Sequence, residues 1–374
     1  MPRLGQFTAR ALHGIGVTYI APVVPVVPVS TATEWLVLTG GYPTTSATVY
    51  AISTQTSTLS TVSTVYSSFA ASSYHFDAAV APNNDFIYFP NGTKNWIDIV
   101  PISPNTGVYT GSGATTAAIN GGSSFPMKIK ISPDGKGAYV AYNNAGIIGI
   151  MNRNISTGAL TAVSNVSTGS TSIVLSADNQ NFYSVTNSGV VMYSRNTTTN
   201  ALSYISTEVT VAITSPTFAY PAILITNDGN SVLVADYSAG SIHNYQRNTS
   251  TGVLTWQQTV ATPSGSPIGI AASKDGKSVY AARYDPNQVI APAVVLFTRS
   301  LSAPYSLTTS TTYVTGAGAS VQLTSLIVSK NQDVLTTIGT DGNLYSWGRN
   351  LTTGALTTNT TITGVAAGAL TVNN

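Results

Sequence analysis

The stretch FPMKIKISPDGKGAYVAYNNAGIIGIMNRNISTGAL, residues 125–160, contains three short apolar runs that are separated by turns. In the first run Met127, Ile129 and Ile131 alternate with lysines, and this period of two indicates a half-buried strand. Pro-Asp-Gly follows the first run and Asn-Asn follows the second, and both are favourable turn sequences. The stretch therefore predicts a sheet of about four short strands, which needs neighbouring copies to cover its faces.

Two turn sequences recur along the chain at a spacing of about 50 residues. The turn after the first strand of a unit recurs at residues 81–84, 132–135, 176–179, 226–229, 273–276 and 329–332. The turn before the fourth strand recurs at residues 104–107, 154–160, 196–202, 248–254 and 350–356, with weaker copies at 53–59 and 299–307. An arginine recurs just before this second turn, at Arg153, Arg195, Arg247, Arg299 and Arg349. Four strands at this period are typical of a β-propeller blade.

Counting the second turn gives seven units, although the first unit lacks its opening strand and turn. That unit starts directly with a second strand at residues 34–39, while residues 368–374 supply a surplus strand at the other end. A strand that joins the two ends closes the ring and leaves no open blade interface. We therefore predict an all-β fold over residues 34–374: a seven-bladed β-propeller of four-stranded blades, closed by a C-terminal strand that completes the first blade. A linear β-solenoid is the alternative.

The unit Ser-Pro-Asp-Gly-Lys … Tyr-Val-Ala … Arg-Asn-x-x-Thr-Gly-Ala-Leu resembles the repeat of the lactonase-like seven-bladed propellers. That group includes 6-phosphogluconolactonase-type and muconate-cycloisomerase-type enzymes and YncE-like proteins. The resemblance covers roughly residues 34–374. It implies the seven-bladed fold and, in the enzymes of the group, chemistry at one mouth of the central channel by His, Glu and Arg side chains.

Side chains of these types are scarce in the chain. His75 is the histidine that we expect at the channel mouth, whereas His243 falls on a third strand, away from the axis. A hydrolase needs a positioned base and a group that stabilises an oxyanion. His75 and Asp77, with Lys128 or Lys130 beside them, are the candidate catalytic residues, and the alternative is a surface histidine beside a solvated aspartate. Because most of the family's catalytic pattern is missing, we expect a protein that is not an enzyme.

The composition excludes several classes of partner. Charged residues make up 7% of the chain and the formal net charge is +2, which favours neither nucleic acid nor an anionic membrane. The chain has 0 cysteines, and no motif predicts a metal site or a cofactor. No run of 18 apolar residues exists, so we expect no membrane span. The 20 tyrosines could stack on neutral glycans, and packing between blades is the alternative.

Residues 1–33 differ from the rest of the chain. The proline spacing over residues 22–28 forces an extended, polyproline-like path, and glycines interrupt the apolar core that a secretory signal would need. An extended arm without its own core is ordered only when something holds it, and a disordered tail is the alternative. We therefore expect residues 1–33 to anchor the chain to a partner protein through Arg3, Phe7, Arg10, Pro22, Pro25 and Pro28.

The opening sequence MPRLG, with the later Gly-Ile-Gly and Pro-Val-Val-Pro, resembles the leader of structural proteins of tailed bacteriophages. This resemblance implies a non-enzymatic virion component, in a head decoration, a fibre or the tail, that is held to other virion proteins by residues 1–33. The propeller would then be displayed on the virion for contact with a host-surface glycan or protein. Two alternatives stay open: a lactonase-like hydrolase that acts at the channel mouth and is secreted or at the cell surface, and an interaction scaffold of a cell envelope.

Overall fold

The computed structural model describes residues 34–39, 47–53, 58–66, 75–111, 114–116, 125–142, 146–168, 172–210, 213, 222–365 and 370–372. Among these residues the regular elements are β-strands, without a helix. None of them belongs to residues 1–33, so the predicted anchoring arm lies outside the described residues.

The strands form seven antiparallel sheets of four strands each. The first part of the chain contains β1 (Glu34–Thr39), β2 (Ala47–Ser53), β3 (Thr58–Tyr66), β4 (Ala79–Val80), β5 (Phe86–Asn91), β6 (Trp96–Pro101) and β7 (Ala114–Thr116). The middle contains β8 (Pro126–Ile131), β9 (Gly137–Tyr142), β10 (Ile147–Arg153), β11 (Leu160–Ser167), β12 (Ser172–Leu175), β13 (Asn181–Thr186), β14 (Gly189–Arg195), β15 (Leu202–Glu208), β16 (Ala222–Ile225), β17 (Ser231–Asp236), β18 (Ser241–Arg247) and β19 (Leu254–Ala261). The last part contains β20 (Ser266–Ala272), β21 (Ser278–Tyr284), β22 (Ala293–Arg299), β23 (Leu307–Val314), β24 (Leu323–Val328), β25 (Val334–Gly339), β26 (Leu344–Arg349), β27 (Leu356–Ile362) and β28 (Leu370–Val372).

Position in the sheet explains the composition of each strand. Every residue of β9 is buried, because neighbouring blades cover both faces of a second strand, and the strand is accordingly rich in apolar side chains. The fourth strand of the same blade, β11, is exposed at most of its positions, and half of its residues are serine, threonine or asparagine. Uncharged polar side chains therefore form much of the outer edge of this blade.

The seven sheets form a closed ring. The first strands of adjacent sheets contact one another in a complete cycle, in the order β4, β8, β12, β16, β20, β24, β28 and back to β4. The first sheet has the order β28-β1-β2-β3, with Val372 opposite Leu36 and Leu370 opposite Leu38. The predicted seven-bladed propeller and its closure by a C-terminal strand are confirmed, and the β-solenoid is excluded, because a solenoid would not join its ends.

The repeated arginines connect adjacent blades. Arg247 Nε in the fifth blade donates to the hydroxyl of Tyr183 in the fourth at 2.8 Å, and Nη2 donates to Asp178 Oδ2 at 2.7 Å. Nη1 donates to the carbonyl oxygen of Gly229, and Tyr183 in turn donates to that of Gly252, at 3.2 and 2.8 Å. Arg153, Arg195 and Arg349 likewise donate from Nε to a tyrosine hydroxyl of the preceding blade, whereas Arg299 donates to the hydroxyl of Ser231 there. These buried guanidinium groups hold the ring together.

A glutamate lies at the boundary between the first and seventh blades. Glu34 at the start of β1 is 3% exposed, and its two carboxylate oxygens accept the backbone N–H of Asn331 at 3.1 and 3.2 Å. Burial raises the pKa of Glu34 to about 7; the Asn331 N–H opposes this shift, and the charge of Asp333 adds to it. The closing boundary of the ring therefore contains an ionisable group that titrates near neutral pH.

Candidate functional site

The wall of the central channel is made by the first strands, and β8 is the one that carries two amines. Met127 and Ile129 of β8 are buried, whereas Lys128 and Lys130 between and after them are partly exposed. β8 is an edge strand of its sheet and belongs to the inner cycle of strands, so these lysines lie on the strand that borders the channel. The pairing of β8 with β9 is irregular between Pro126 and Lys128, and such bulges re-aim side chains next to functional sites.

A carboxylate from the adjacent second blade meets these lysines. Asp77 Oδ2 accepts the backbone N–H of Ile129 at 3.0 Å and lies 3.7 Å from Lys130 Nζ. Burial lowers the pKa of Lys128; Lys130 lowers it further, and Asp77 acts in the opposite direction. Asp77, Lys128 and Lys130 thus form one electrostatically coupled group on two adjacent blades, and we call it the channel cluster.

His75 contributes to a different network. Its Nε2 lies 2.9 Å from Asp98 Oδ2, and the same carboxylate accepts Asn91 Nδ2 and Trp96 Nε1, each at 3.0 Å. His75 is 3% exposed, and its ring packs edge-on against Phe89. The alternative of a surface histidine beside a solvated aspartate is therefore wrong, because both His75 and its partner are buried within the second blade. The carboxylate that the structure places on His75 is that of Asp98, and Asp77 is bonded elsewhere.

The fifth blade has a similar buried pair. His243 Nε2 lies 3.3 Å from Asp236 Oδ2, and Nδ1 lies 3.0 Å from Thr259 Oγ1. His243 falls on the third strand β18, as predicted, and Asp236 ends the second strand β17. Asp98 and Asn91 occupy the same two strand positions in the second blade. Buried polar residues thus recur at the same positions of the second and third strands in two blades. This recurrence indicates that both histidine–aspartate pairs have a structural role within their sheets.

The channel cluster has the chemistry that addition of water to a carbonyl requires. An amine whose pKa is lowered is more often neutral and can then accept a proton from water, and an ammonium can stabilise the oxyanion that forms. Among the residues that the structure describes, no group of three or more histidines or carboxylates could hold a metal ion. Neither is there, over the same residues, a helix with the length and apolarity to cross a membrane.

A separate cavity lies on the fifth, sixth and seventh blades. A cavity of about 490 Å³ lies where the turns after β16, β20 and β24 meet. Aliphatic side chains such as Ile225, Ile270 and Val328 line it together with polar ones that include Lys274 and Lys330. The sequence repeats place these turns together but gave no indication of a cavity there.

Sequence reasoning missed three residues of the buried histidine network: Asp98, Asn91 and Trp96. A signal for Asp98 was present, since it is the one charged residue within the apolar strand Trp-Ile-Asp-Ile-Val. A carboxylate in a buried strand needs hydrogen-bond donors, and a search for a nearby histidine would have led to His75.

Comparison with known proteins identifies the family of this fold. A profile described as "Lactonase, 7-bladed beta-propeller" matches residues 42–176 and 167–301. A putative 6-phosphogluconolactonase from Bacteroides uniformis has a TM-score of 0.75 at 14% identity, covering 91% of this chain and 99% of that chain. The periplasmic gluconolactonase of Pseudomonas aeruginosa has a TM-score of 0.71 at 15% identity, covering 91% of this chain and 99% of that chain. None of the curated proteins matches the chain.

The expectation of a non-enzymatic virion structural protein is wrong. The matching profile is that of the lactonase propellers, and similar structures include proteins named as gluconolactonases, so these findings favour the hydrolase alternative. The error came from the leader, whose resemblance to phage proteins gains no support from a profile match that begins at residue 42. The partner and the localisation assigned through residues 1–33 are untested and stay predictions. The profile matches cover well over half of the sequence, and the chain belongs to the lactonase family of seven-bladed β-propellers.

Proposed function

We propose that this protein is a hydrolase that opens the ring of a sugar lactone at the wall of its central channel. The observation that carries the proposal is the channel cluster, in which Lys130 Nζ lies 3.7 Å from Asp77 Oδ2 and burial lowers the pKa of Lys128. Membership of the lactonase family supports the reaction type, and the gluconolactonase names of similar structures support the class of substrate.

Lys128 acts as the general base. Its neutral amine takes a proton from a water molecule while the water oxygen bonds to the carbonyl carbon of the lactone, and the carbonyl electron pair moves to the oxygen. The ammonium of Lys130 stabilises this oxyanion. When the intermediate collapses, the bond from the carbonyl carbon to the ring oxygen breaks, and Lys128 returns its proton to the ring oxygen. The product is the open hydroxy acid.

Asp77 is a positioning residue in this scheme. The backbone N–H of Ile129 fixes its Oδ2 at 3.0 Å, so that the carboxylate lies at a defined place beside Lys130. Its negative charge lies beside the Lys130 ammonium and opposes the fall in the pKa of Lys128. Asp77 therefore holds the Lys130 ammonium in place, while burial and the charge of Lys130 favour Lys128 as the base.

The proposal is tested with D-glucono-1,5-lactone as substrate and proton release as the readout, against the spontaneous rate in the same buffer. The wild-type protein accelerates ring opening, and Lys128→Met and Lys130→Met each lower kcat/KM by about 100-fold or more. Lys136→Met, the same substitution at an exposed turn of the same blade, serves as control and leaves the rate unchanged. A wild-type rate equal to the spontaneous one, or a Lys128 variant as active as wild type, would overturn the proposal.

A further inference from the structure

A cleft of about 470 Å³ opens at the outer edge of the propeller, between the third and fourth blades. Ser167 and Thr168 at the end of β11 form one side, and Tyr193, Tyr204 and Thr207 of β14 and β15 form the other. All of the described residues that line the cleft are uncharged. Its volume falls in the range of small-molecule sites, from about 300 to 1,000 Å³.

Tyr204 presents a large aromatic surface on this cleft, because it is 64% exposed. Its orientation is fixed on two sides: Tyr193 packs against it edge-to-face at 6.1 Å, and its hydroxyl lies 3.1 Å from Thr207 Oγ1. Tyr193 is buried and makes a similar edge contact with Phe182, which in turn packs against Tyr139 in the third blade. A series of four aromatic rings thus connects the exposed ring to the core, and the exposed ring is held in place before any ligand arrives.

The backbone explains why Tyr204 and Thr207 share a face although they are three residues apart. Tyr204 pairs with Tyr193, whereas Ser206 pairs with Met192, so that Ile205 is the extra residue of a bulge. The bulge shifts the alternation by one residue and turns Thr207 to the side of Tyr204. Both side chains therefore face the cleft.

Hydrogen-bonding groups surround the aromatic surface. Asn187 and Ser188, in the exposed turn between β13 and β14, supply an amide and a hydroxyl, and Thr168 supplies another hydroxyl across the cleft. A pyranose ring has an apolar face that stacks on an aromatic ring and hydroxyls at its edge that bond to amides and hydroxyls. The lack of charged side chains in the lining favours a neutral ligand over an anionic one.

We propose that the cleft between the third and fourth blades is a binding site for a neutral carbohydrate, with Tyr204 as its stacking surface. The site goes beyond the proposed hydrolysis, because it lies on the third and fourth strands of the fourth blade whereas the channel cluster lies next to first strands. Binding at the cleft would hold the protein on a glycan while the channel stays open to small substrates.

The test titrates the full chain with maltopentaose, cellopentaose and chitopentaose in turn, by isothermal calorimetry. At least one of these neutral oligosaccharides binds, and Tyr204→Ala weakens that binding by about tenfold or more, since the loss of one aromatic stacking surface accounts for such a factor. Tyr204→Phe retains the ring and keeps most of the affinity. Because Tyr204 is exposed, its substitution leaves the melting temperature nearly unchanged.

The fifth blade offers a matched control. Trp256 pairs with Tyr245 as Tyr204 pairs with Tyr193, and it is 37% exposed, but it does not line the cleft. Trp256→Ala therefore leaves binding unchanged. The proposal is overturned if none of the three oligosaccharides binds at millimolar concentration, if Tyr204→Ala binds as tightly as wild type, or if Trp256→Ala causes the larger loss. Lactone opening by the Tyr204 variants tests the hydrolase proposal separately, since it depends on Lys128.

Discussion

Arg247 in the fifth blade donates from Nε to the hydroxyl of Tyr183 in the fourth blade at 2.8 Å, although the two residues are 64 positions apart in the sequence. Both side chains are buried, and the guanidinium also bonds Asp178. Arginines at a channel mouth are expected to take part in catalysis in this family, but the repeated arginines of this chain are occupied between blades. The proposed reaction therefore uses other cations, the partly exposed lysines of β8.

Replacing Arg247 by methionine is expected to lower the free energy of unfolding by about 3 kcal/mol, because Tyr183 and Asp178 lose a buried donor. In a double-mutant cycle with Tyr183→Phe, the coupling between the two residues should be about 1 to 3 kcal/mol by urea unfolding. Lys277→Met, at an exposed position, should change stability by less than about 0.5 kcal/mol. Simple additivity of the Arg247 and Tyr183 effects would show that the hydrogen bond contributes nothing.

Glu34 predicts a loss of stability as the pH rises towards neutrality. Its pKa is about 7 in the folded protein, whereas the ordinary value, which applies to the unfolded chain, is 4.5. Between pH 4.5 and 7 the folded state therefore binds the proton more tightly than the unfolded state does. Stability therefore falls as the pH rises from about 4.5 to 7, by up to about 3 kcal/mol. Glu34→Gln should remove this dependence and stabilise the protein at pH 8 but not at pH 4. The matched control is Glu208→Gln, and equal pH profiles for wild type and Glu34→Gln would contradict the prediction.

The buried network around Asp98 predicts a separation of stability from activity. Asp98→Ala leaves His75, Asn91 and Trp96 without their common acceptor and should cost about 3 kcal/mol in the free energy of unfolding, with a smaller loss for Asp98→Asn. His75→Asn should lower the melting temperature, yet retain wild-type kcat for lactone opening when assayed below that temperature. A large fall in kcat at full folding would instead assign His75 to the reaction.

Lys128 predicts the direction in which the pH–rate profile moves. As the general base it must be neutral, so kcat/KM should rise with pH, with a midpoint below the ordinary lysine value of 10.5. Lys130 lowers the pKa of Lys128 and Asp77 raises it, so Lys130→Met should move the midpoint to higher pH and Asp77→Asn to lower pH. Profiles recorded over the same pH range for all three proteins give the comparison. A midpoint that does not move in either variant would exclude Lys128 as the titrating group.

The sequence was sufficient to predict the features that local chemistry determines, which are the turns, the strands and the number of blades. Turns such as Ser132-Pro133-Asp134-Gly135 specify their own geometry, and alternation in β8 marks the strand, so the blades and their number followed from counting. The pairing of residues 34–39 with a C-terminal strand followed because one unit lacked a strand and another had a surplus. These features need no knowledge of how one blade packs on the next.

The site depends on that packing and was harder to predict. Asp77 and Lys130 come from different blades, and His75 and Asp98 are 23 residues apart, so their pairing is decided by how strands and blades pack. His75 and Asp77 are two residues apart, which suggested a common role, but they lie before β4 and the structure gives each its own partner. The recurrence of the arginines was visible, whereas their tyrosine and aspartate partners lay one blade earlier in the sequence.

The pairing of Val372 with Leu36 has a consequence for the order of events during synthesis. The first sheet lacks its inner strand until residues 370–372 have left the ribosome. The other six blades can therefore complete their sheets before the first sheet is complete. Until that moment Leu36 and Leu38 keep an unpaired edge, which is open to pairing with another nascent chain. The synthesis of residues 370–372 is thus the step that removes this risk of association.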